Sequence, residues 1–210
     1  MATRRASVSL MVDRDHYEQV TLAIGRARTS VWIATANVKQ LMIEAPVGTR
    51  ARARRQYIPV LDTLQGLCNS GVQVRVLHAT VPSRPFREEL AARRGDLAPP
   101  HFEMRACMRV HLKMIAIDGA LLYLGSANFT GAGLGAKGDG RRNFEMGLLT
   151  DDEWLLDAAQ ARFETIWRGA ECGSCRLRRE CPAPLDARTL TRRTSPAPAP
   201  VRGRPPPSTR

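Results

Sequence analysis

The chain has 210 residues, with 32 Lys and Arg against 20 Asp and Glu for a formal net charge of +12, and 43% of its residues are hydrophobic. That hydrophobic fraction is enough to build a core, so the composition excludes a wholly disordered chain and a collagen, and it disfavours a coiled coil. The positive charge favours a polyanionic partner, which is either a nucleic acid or an anionic membrane surface. No apolar run approaches the length of a membrane helix and the amino terminus lacks a signal-like apolar stretch, so we expect a cytoplasmic protein with no transmembrane segment.

Helices and strands alternate in the first half of the chain. Apolar residues at Tyr17, Val20, Ile24 and Ala27 have the spacing of an amphipathic helix, and a β-rich run follows over residues 30–37. The pattern beyond it predicts a helix over residues 59–68, a strand over residues 72–78 and a charged surface helix over residues 84–93.

Strands cluster in the second half. Three further runs are rich in β-formers, namely HLKMIAID, LLYLGS and RNFEMGLLT. A helix is predicted over residues 151–167, and the acidic residues at its start complement the positive end of the helix dipole. Early alternation followed by late strands predicts an α/β fold with a mixed β-sheet flanked by helices.

Composition divides the chain into three parts. Residues 1–169 are predicted as the catalytic domain, residues 170–181 as a cysteine cluster, and residues 182–210 as a disordered tail rich in Pro and Arg. The tail holds eight of the 14 prolines and six arginines against a single acid. Such a segment has too little apolar surface to offset the entropy lost on ordering.

The candidate catalytic residues lie between His111 and Asn128. His111 and Lys113 are two residues apart on a predicted strand, so they project from the same face. Imidazole can attack phosphorus to form a covalent intermediate, and the ammonium can neutralise a phosphate oxygen. The Ser126 hydroxyl and the Asn128 amide can donate further hydrogen bonds to that phosphate. The pattern therefore indicates a phosphodiester site without a metal.

In order, these residues read H-x-K-x4-D followed by G-S-x-N, which resembles the HKD motif of the phospholipase D superfamily. The resemblance extends through NFTGAGLG and RRNFEMGLLTDD and covers roughly residues 15–168. It implies a phospholipase D/nuclease-like fold. It also implies that His111 is the nucleophile or its acid partner, that Lys113 and Asn128 bind phosphate with help from Ser126, and that Asp118, although part of the catalytic motif, is structural.

Further site residues lie just beyond the motif. By the same resemblance, Glu145 is the acid that orients the histidine, which it can do by accepting a hydrogen bond from the other imidazole nitrogen. Arg142 and Asn143 are candidates for substrate contact. The glycine-rich run of residues 131–140, with Lys137, Arg141 and Arg142 at hand, is either a substrate rim or a solvated connection, and it has neither the P-loop ending nor the dinucleotide context.

The chain contains one HxK motif, whereas the mechanism needs one histidine to attack and a second to protonate the leaving oxygen. His16, His78 and His101 lack the lysine and aspartate context, and we expect them on the surface or in loops. In the family that the chain resembles, single-motif members are homodimers whose motifs face each other across a two-fold axis. We therefore expect a homodimer.

Three of the five cysteines, Cys172, Cys175 and Cys181, crowd into the run CGSCRLRREC. An odd number of cysteines with such crowding indicates a metal cluster rather than a disulfide framework. Thiolates at this spacing can chelate zinc or anchor part of an iron-sulfur cluster, and Cys68 or Cys107 could supply the fourth ligand. The trio also resembles the carboxy-terminal cysteine cluster of CRISPR-associated iron-sulfur exonucleases. Free thiols or a local disulfide are the alternative.

Together these patterns predict a metal-independent phosphodiesterase that cleaves nucleic acid as a homodimer. A phospholipase or phosphatidyl transferase would use the same chemistry on a lipid head group, but it would need an apolar surface facing lipid. A nucleic-acid-binding module with a vestigial site is the third hypothesis. The basic charge and small size favour the nuclease.

Overall fold

A computed structural model describes residues 3–187 of the chain. The strands are β1 (Ser9–Val12), β2 (Ser30–Thr35), β3 (Met42–Glu44), β4 (Tyr57–Pro59), β5 (Gln73–His78), β6 (Phe102–Ala106), β7 (Met114–Ile117), β8 (Leu121–Gly125) and β9 (Met146–Thr150). The helices are a π-helical segment (His16–Thr21) that continues into α1 (Leu22–Ile24), then α2 (Arg50–Ala53), α3 (Val60–Asn69), α4 (Arg84–Ala92) and α5 (Glu153–Trp167). Within residues 3–187, no helix combines the length and the apolar character needed to cross a membrane.

The main sheet has seven strands in the order β1-β9-β8-β7-β2-β5-β6, and β3 and β4 form a separate two-stranded sheet. β2, β5 and β6 pair in parallel, with α3 and α4 in their connections, whereas β2–β7, β7–β8, β8–β9 and β9–β1 pair antiparallel. Parallel neighbours need crossover connections and antiparallel neighbours need only short turns. The predicted α/β fold with a mixed sheet and flanking helices is confirmed.

The sheet separates two hydrophobic clusters because alternate side chains of each strand point to opposite faces. On one face, residues such as Ile33 and Ile115 pack with Leu64 of α3. On the other face, Ala34 and Leu122 pack with the aromatic side of α5, where the rings of Phe163 and Trp167 stack at 5.5 Å. Asp152 caps α5 by accepting a hydrogen bond from the Leu155 backbone at 3.0 Å.

Several element boundaries differ from the sequence prediction. The first helix is mostly a six-residue π-helical segment, and Pro59 ends β4 instead of opening the next helix. β7 begins only at Met114, so His111 and Lys113 lie in the extended segment before it and not on the strand. The pattern also missed β1, β3, β4, β6 and α2, which have three to five residues each and are too short to show a clear period.

The expected surface position of the spare histidines is wrong for two of the three. His16 is completely buried, edge-on to Tyr123 with ring centroids 5.3 Å apart, and its Nδ1 lies 3.0 Å from the Asp13 carbonyl. His78 is buried at the end of β5, and that burial lowers its pKa. A backbone carbonyl lies within hydrogen-bond distance of Nδ1 in each ring, whereas Nε2 of His16 is buried with no partner among the described residues. His101 is exposed.

The carboxy-terminal part of the described chain is a series of turns. Leu185 is buried against the cluster that α5 covers, so ordered chain continues past the predicted start of the tail at residue 182. Residues 188–210, which hold most of the predicted disordered tail, lie outside the described residues. The three-part division of the chain stays a prediction.

Candidate active site

Three neighbouring strands end at the same edge of the sheet. In the register of the sheet, Met114 of β7 pairs with Leu124 of β8, and Gly125 pairs with Gly147 of β9. Lys113 precedes β7, Ser126 follows β8 and Glu145 precedes β9. Pairing of the strands therefore brings these three residues together although they are up to 32 positions apart in the sequence.

The glycine of the G-S-x-N run is required by a packed tyrosine ring. A Cβ on Gly125 would lie 2.3 Å from the Tyr123 hydroxyl, and a Cβ on Gly147 would lie 2.4 Å from the same ring. Tyr123 is buried, which raises its pKa to about 12, and its hydroxyl lies 3.4 Å from the Ala127 backbone nitrogen. Tyr123 thus lies across both glycines and supports the backbone that carries Ser126.

His111 and Lys113 form the reactive pair. The Lys113 Nζ lies 3.1 Å from each ring nitrogen of His111 and also donates to the His111 carbonyl at 3.1 Å. His111 is exposed and Lys113 is partly buried. Burial lowers the pKa of Lys113, and the negative charge of Glu145 opposes that shift. The ammonium therefore lies where it can contact an oxygen of a phosphate that is bonded to the imidazole.

Glu145 is held by its polar neighbours. Ser126 Oγ donates to one carboxylate oxygen and accepts from the Met146 backbone at 3.1 Å, while Asn143 Nδ2 donates to the other carboxylate oxygen at 3.0 Å. Within residues 3–187 the carboxylate makes no hydrogen bond to His111, whose ring contacts Lys113 instead. The role implied for Glu145, orienting the histidine, is therefore not the contact seen here.

Asn128 presents its amide nitrogen to an open cleft. Its Oδ1 accepts from the Asn37 backbone at 3.1 Å and lies 3.2 Å from the Thr35 hydroxyl. Its Nδ2 has no acceptor among the described residues and is left to serve an oxygen of a ligand. The cleft has a volume of about 330 Å³, and we call it the Asn128 cleft. Its lining includes Asn37, Lys39, Gln40, Asn128, Lys137 and Asn143.

Asp118 lies away from this edge. The four residues of β7 lie between Asp118 and Lys113, so the two residues are five steps apart, or about 16 Å at roughly 3.3 Å per residue. Burial would raise its pKa, but hydrogen bonds from the backbones of Ser30, Thr29 and Arg28 and from the Thr29 hydroxyl outweigh it, so the pKa is lowered. The backbone bonds are 2.7 to 3.0 Å long. Although Asp118 belongs to the catalytic motif in sequence, the structure gives it no contact with the reactive pair.

The predicted rim residues differ in their surroundings. The Arg142 guanidinium forms an ion pair with Asp139, so its charge is already engaged. Lys137 and Arg141 are exposed, and neither forms an ion pair within residues 3–187. Lys137 lines the Asn128 cleft, whereas Arg141 does not.

The five cysteines are free thiols that fall into two places. Cys107, Cys172 and Cys175 line one cavity of about 80 Å³, and burial together with repulsion from Cys172, Cys181 and Cys175 raises the pKa of Cys107. Cys68 is instead buried beside the His101 carbonyl, with its pKa raised to about 11. The fold therefore places Cys107, and not Cys68, beside the trio.

No group of three or more His, Cys, Asp or Glu side chains in the described part of the chain is arranged to hold a metal ion. The predicted zinc or iron-sulfur cluster at Cys172, Cys175 and Cys181 thus has no support from the structure.

Sequence reasoning missed Thr35, Asn37 and Lys39, which come from the end of β2 and the segment after it. Pairing of β2 with β7 and a parallel bridge between Val38 and Phe129 bring them beside Asn128, so no local spacing marks them. The rarity of lysine was a usable signal, because Lys39 is one of three lysines among the 32 basic residues.

Comparison with known proteins identifies a family and a shared fold. A family model described as cardiolipin synthase, PLD-like domain, matches residues 20–167. Among solved structures, NucT from Helicobacter pylori has a TM-score of 0.50 at 19% identity, with 77% of this chain and 95% of that chain covered. Nuc from Salmonella typhimurium, a phospholipase D family member, has a TM-score of 0.50 at 16% identity, with 78% and 95% covered.

No curated relative matches the chain. The two solved structures show a shared fold, and the family model covers well over half of the chain. The chain therefore belongs to the phospholipase D superfamily.

Proposed function

We propose that the protein is a phosphodiesterase that hydrolyses nucleic-acid phosphodiester bonds, as a homodimer and through a phosphohistidine at His111. One observation carries the proposal: the fold brings an exposed imidazole, an adjacent ammonium and a polar cleft with a free amide donor to one edge of the sheet. A nucleophile, a cation and a hydrogen-bond donor around one phosphate are what this displacement requires.

The reaction has two balanced steps. In the first, an imidazole nitrogen of His111 attacks phosphorus, an N–P bond forms and the bond from phosphorus to the leaving oxygen breaks, while His111 of the partner subunit protonates that oxygen. In the second, water attacks phosphorus, the same partner histidine accepts the proton of the water, and the N–P bond breaks. The histidine that gives the first proton takes the second one, so both histidines return to their starting state.

The remaining residues stabilise charge. The Lys113 ammonium neutralises a non-bridging oxygen, and Asn128 Nδ2 donates to the phosphate because its Oδ1 is already bound. Glu145 keeps Lys113 protonated by charge, since it opposes the effect of burial on the lysine pKa. Ser126 and Asn143 fix the Glu145 carboxylate. Lys137 and Arg141 provide free positive charge at the rim.

Nucleic acid is the preferred substrate because the charge and the cleft both suit a polyanion. The chain carries a formal charge of +12, and the Asn128 cleft is lined largely by amides, hydroxyls and lysines. A phospholipid places acyl chains next to its phosphate, and these need an apolar surface. We assign the exposed apolar residues beside the site, Leu124, Phe144 and Met146 among them, to contact with a second copy of the chain.

An exposed apolar surface beside the site supports the proposed homodimer. Cross-strand partners share a face, so the outer sides of β1, β8 and β9 form one continuous surface. We call it the apolar face, and it consists of Leu10, Val12, Leu124, Phe144, Met146 and Leu148, all exposed. Phe144, at 97% exposure, is adjacent to Glu145. Since one chain supplies one HxK motif, a second copy on this face would complete the pair of histidines.

The substrate is tested by incubating the protein with labelled DNA, labelled RNA and phosphatidylcholine vesicles in parallel, with and without excess EDTA. We expect cleavage of nucleic acid that persists in EDTA. Cleavage of the lipid alone would replace the proposal by a phospholipase, and binding of nucleic acid without any cleavage would leave a binding module.

The dimer is tested by mixing wild-type and His111→Ala chains after subunit exchange. If each site needs both histidines, an equal mixture keeps about a quarter of the activity of the same total amount of wild type, whereas independent chains keep about half. Leu148→Arg on the apolar face should give monomers without activity. Val81→Arg, at a position 76% exposed and outside the apolar face, is the matched control and should stay dimeric.

A further inference from the structure

The lysines of this chain are concentrated at one place. Of 32 basic residues, Lys39, Lys113 and Lys137 are the three lysines. Lys113 belongs to the reactive pair, and Lys39 and Lys137 both line the Asn128 cleft. A chain that uses arginine almost everywhere else thus has all of its lysines at the site or in the cleft beside it.

The two lysines of the cleft are free of ion pairs, whereas about half of the described arginines are engaged in them. The twelve ion pairs found within residues 3–187 are all made by arginines. Lys39 and Lys137 are exposed and form no ion pair with a described residue. Their charges are therefore available to a ligand in the cleft.

The backbone ties both lysines to the same short segment of chain, residues 129–131. The Lys39 backbone nitrogen donates to the Phe129 carbonyl at 3.1 Å, and the Lys137 backbone nitrogen donates to the Gly131 carbonyl at 3.1 Å. Phe129 and Gly131 flank the segment that follows Asn128. Both lysines are thereby tied to the chain that carries the phosphate-binding amide.

The walls between the lysines carry polar groups together with apolar surface. Asn37, Gln40, Ser83 and Thr130 contribute amides and hydroxyls, and no aromatic side chain of the described residues lines the cleft. Aromatic side chains are what proteins use to stack single-stranded bases, and cations and amides are what they use to hold phosphate and sugar. The chemistry of the cleft thus suits the backbone of a strand and not its bases.

We propose that Lys39 and Lys137 bind the phosphates next to the scissile one along a single polynucleotide strand, so that the Asn128 cleft selects an extended polyanion without reading its sequence. This inference rests on the proposed function, because it assumes that the scissile phosphate lies at His111. Lysine suits this task, since its ammonium is a point charge with rotatable donors on a flexible stem, whereas the arginine fork requires a fixed bidentate geometry.

Binding is measured by fluorescence anisotropy of a mixed-sequence single-stranded oligonucleotide over a range of salt concentrations, in a His111→Ala background that prevents cleavage. Losing two phosphate contacts should reduce the salt slope by about 1.4, at ~0.7 per contact for single strands. We expect Lys39→Ala/Lys137→Ala to show this reduction together with weaker binding at low salt. Lys39→Arg/Lys137→Arg should retain most of the affinity, because it keeps both charges.

Arg94→Ala is the matched control. Arg94 is an exposed arginine beyond the end of α4, it forms no ion pair within residues 3–187, and it does not line the cleft. Its removal should leave the salt slope unchanged within error. An equal loss in the control would show diffuse electrostatic binding and would overturn the proposal, as would unaltered binding in the double variant.

Hydrolysis of a small diester, bis(4-nitrophenyl) phosphate, separates the two proposals. With wild-type His111 restored, Lys39→Ala/Lys137→Ala should lose at least tenfold more kcat/KM on the oligonucleotide than on the small diester. Equal losses on both substrates would overturn the role of the cleft and leave the phosphodiesterase in place. If the wild-type protein cleaved neither substrate, the proposed function itself would fail.

Discussion

The catalytic edge of the sheet and the cysteine region share a stretch of chain but are built differently. Cys107 lines the cavity of the cysteine region and His111, four residues later, enters the site. At the site, the partners come from the ends of paired strands, so sheet register fixes their positions. In the cysteine region, Cys172, Cys175 and Cys181 lie in turns after α5, and no ladder of hydrogen bonds sets their spacing. We therefore expect the site to hold its reactive groups at fixed positions, and we expect the positions of the thiols in the turns to vary more.

Replacing His111 should have the largest effect, because it removes the nucleophile. We expect His111→Ala to lower kcat by about 10⁴-fold or more, a loss typical of a missing nucleophile. Turnover of a labelled oligonucleotide measures the loss. Circular dichroism checks that the fold is intact, and His101→Ala, at an exposed histidine outside the site, is the control. If substantial cleavage remained, the catalytic residues would have to lie elsewhere in the molecule, and the comparison between the catalytic edge and the cysteine region would no longer hold.

The proximity of the motif residues to one another could be predicted from sequence because they flank one short hairpin, although His111 and Lys113 precede β7 and are not on the strand. Residues on one short hairpin keep their spacing, so His111, Lys113, Ser126 and Asn128 can be recognised from the chain alone. The mixed sheet follows in the same way from the order of helices and strands. The partners of the motif could not be found in this way, since Lys39 reaches the Asn128 segment only through long-range contacts, the pairing of β2 with β7 and the bridge from Val38 to Phe129.

Long-range contacts also explain the other differences. The proximity of Cys107 to Cys172 depends on how the turns after α5 fold back, which no spacing encodes. Very short strands such as β3 and β4 show no period of their own. The contact of Glu145 with Ser126 and Asn143, and not with His111, depends on rotamers that the sequence leaves open.

Asp118 should matter for stability. Asp118→Ala leaves three backbone N–H groups without their acceptor and puts alanine at a backbone φ of +57°. We expect a loss of about 2–4 kcal/mol in the free energy of unfolding, measured by urea denaturation. Asp118→Asn tolerates the same φ and keeps one acceptor oxygen, so it should lose less. If both variants lost equally little stability, the hydrogen bonds that Asp118 accepts would not be structural.

The pH dependence of that stability has a defined sign. The folded pKa of Asp118 is below its ordinary value, so its contribution is fully present above the unfolded pKa and is lost as the pH falls through the folded pKa. Wild type should therefore lose stability on acidification more steeply than Asp118→Asn. Parallel acid profiles for the two proteins would contradict this assignment.

Lys113 should titrate below an ordinary lysine. Its positive charge, and with it catalysis, is lost as the pH rises through this lowered pKa, so activity should fall on the alkaline side earlier than a free lysine would allow. Glu145→Gln removes the charge that opposes the shift, so the pKa of Lys113 should fall further. With three lysines in the chain, NMR of the side-chain Nζ groups can follow each one. An unchanged Lys113 pKa in Glu145→Gln would show that the charge of Glu145 does not act on Lys113.

The cysteine region should show the smallest effect. Burial first, and then repulsion from Cys172, raises the pKa of Cys107, so Cys172→Ser should speed its alkylation modestly, about two- to threefold at pH 8. Peptide mass spectrometry can follow each thiol, and Cys68 should not change. Zinc or iron at about one per chain in protein purified without oxygen would instead show that the thiols close around a metal.

The hydrogen bonds that Asp118 accepts from the start of β2 also fix the spacing between the lysine and the aspartate of the motif. β7 is held on both sides by β2 and β8, at one end by Asp118 against the start of β2, and at the other end by the reactive pair. A single inserted residue between Lys113 and Asp118 would either break these hydrogen bonds or turn every following side chain to the opposite face of the sheet. The four residues between the lysine and the aspartate in H-x-K-x4-D therefore correspond to the length of β7. Insertions should be tolerated in the exposed end of the glycine-rich connection, at residues 138–140, long before they are tolerated there.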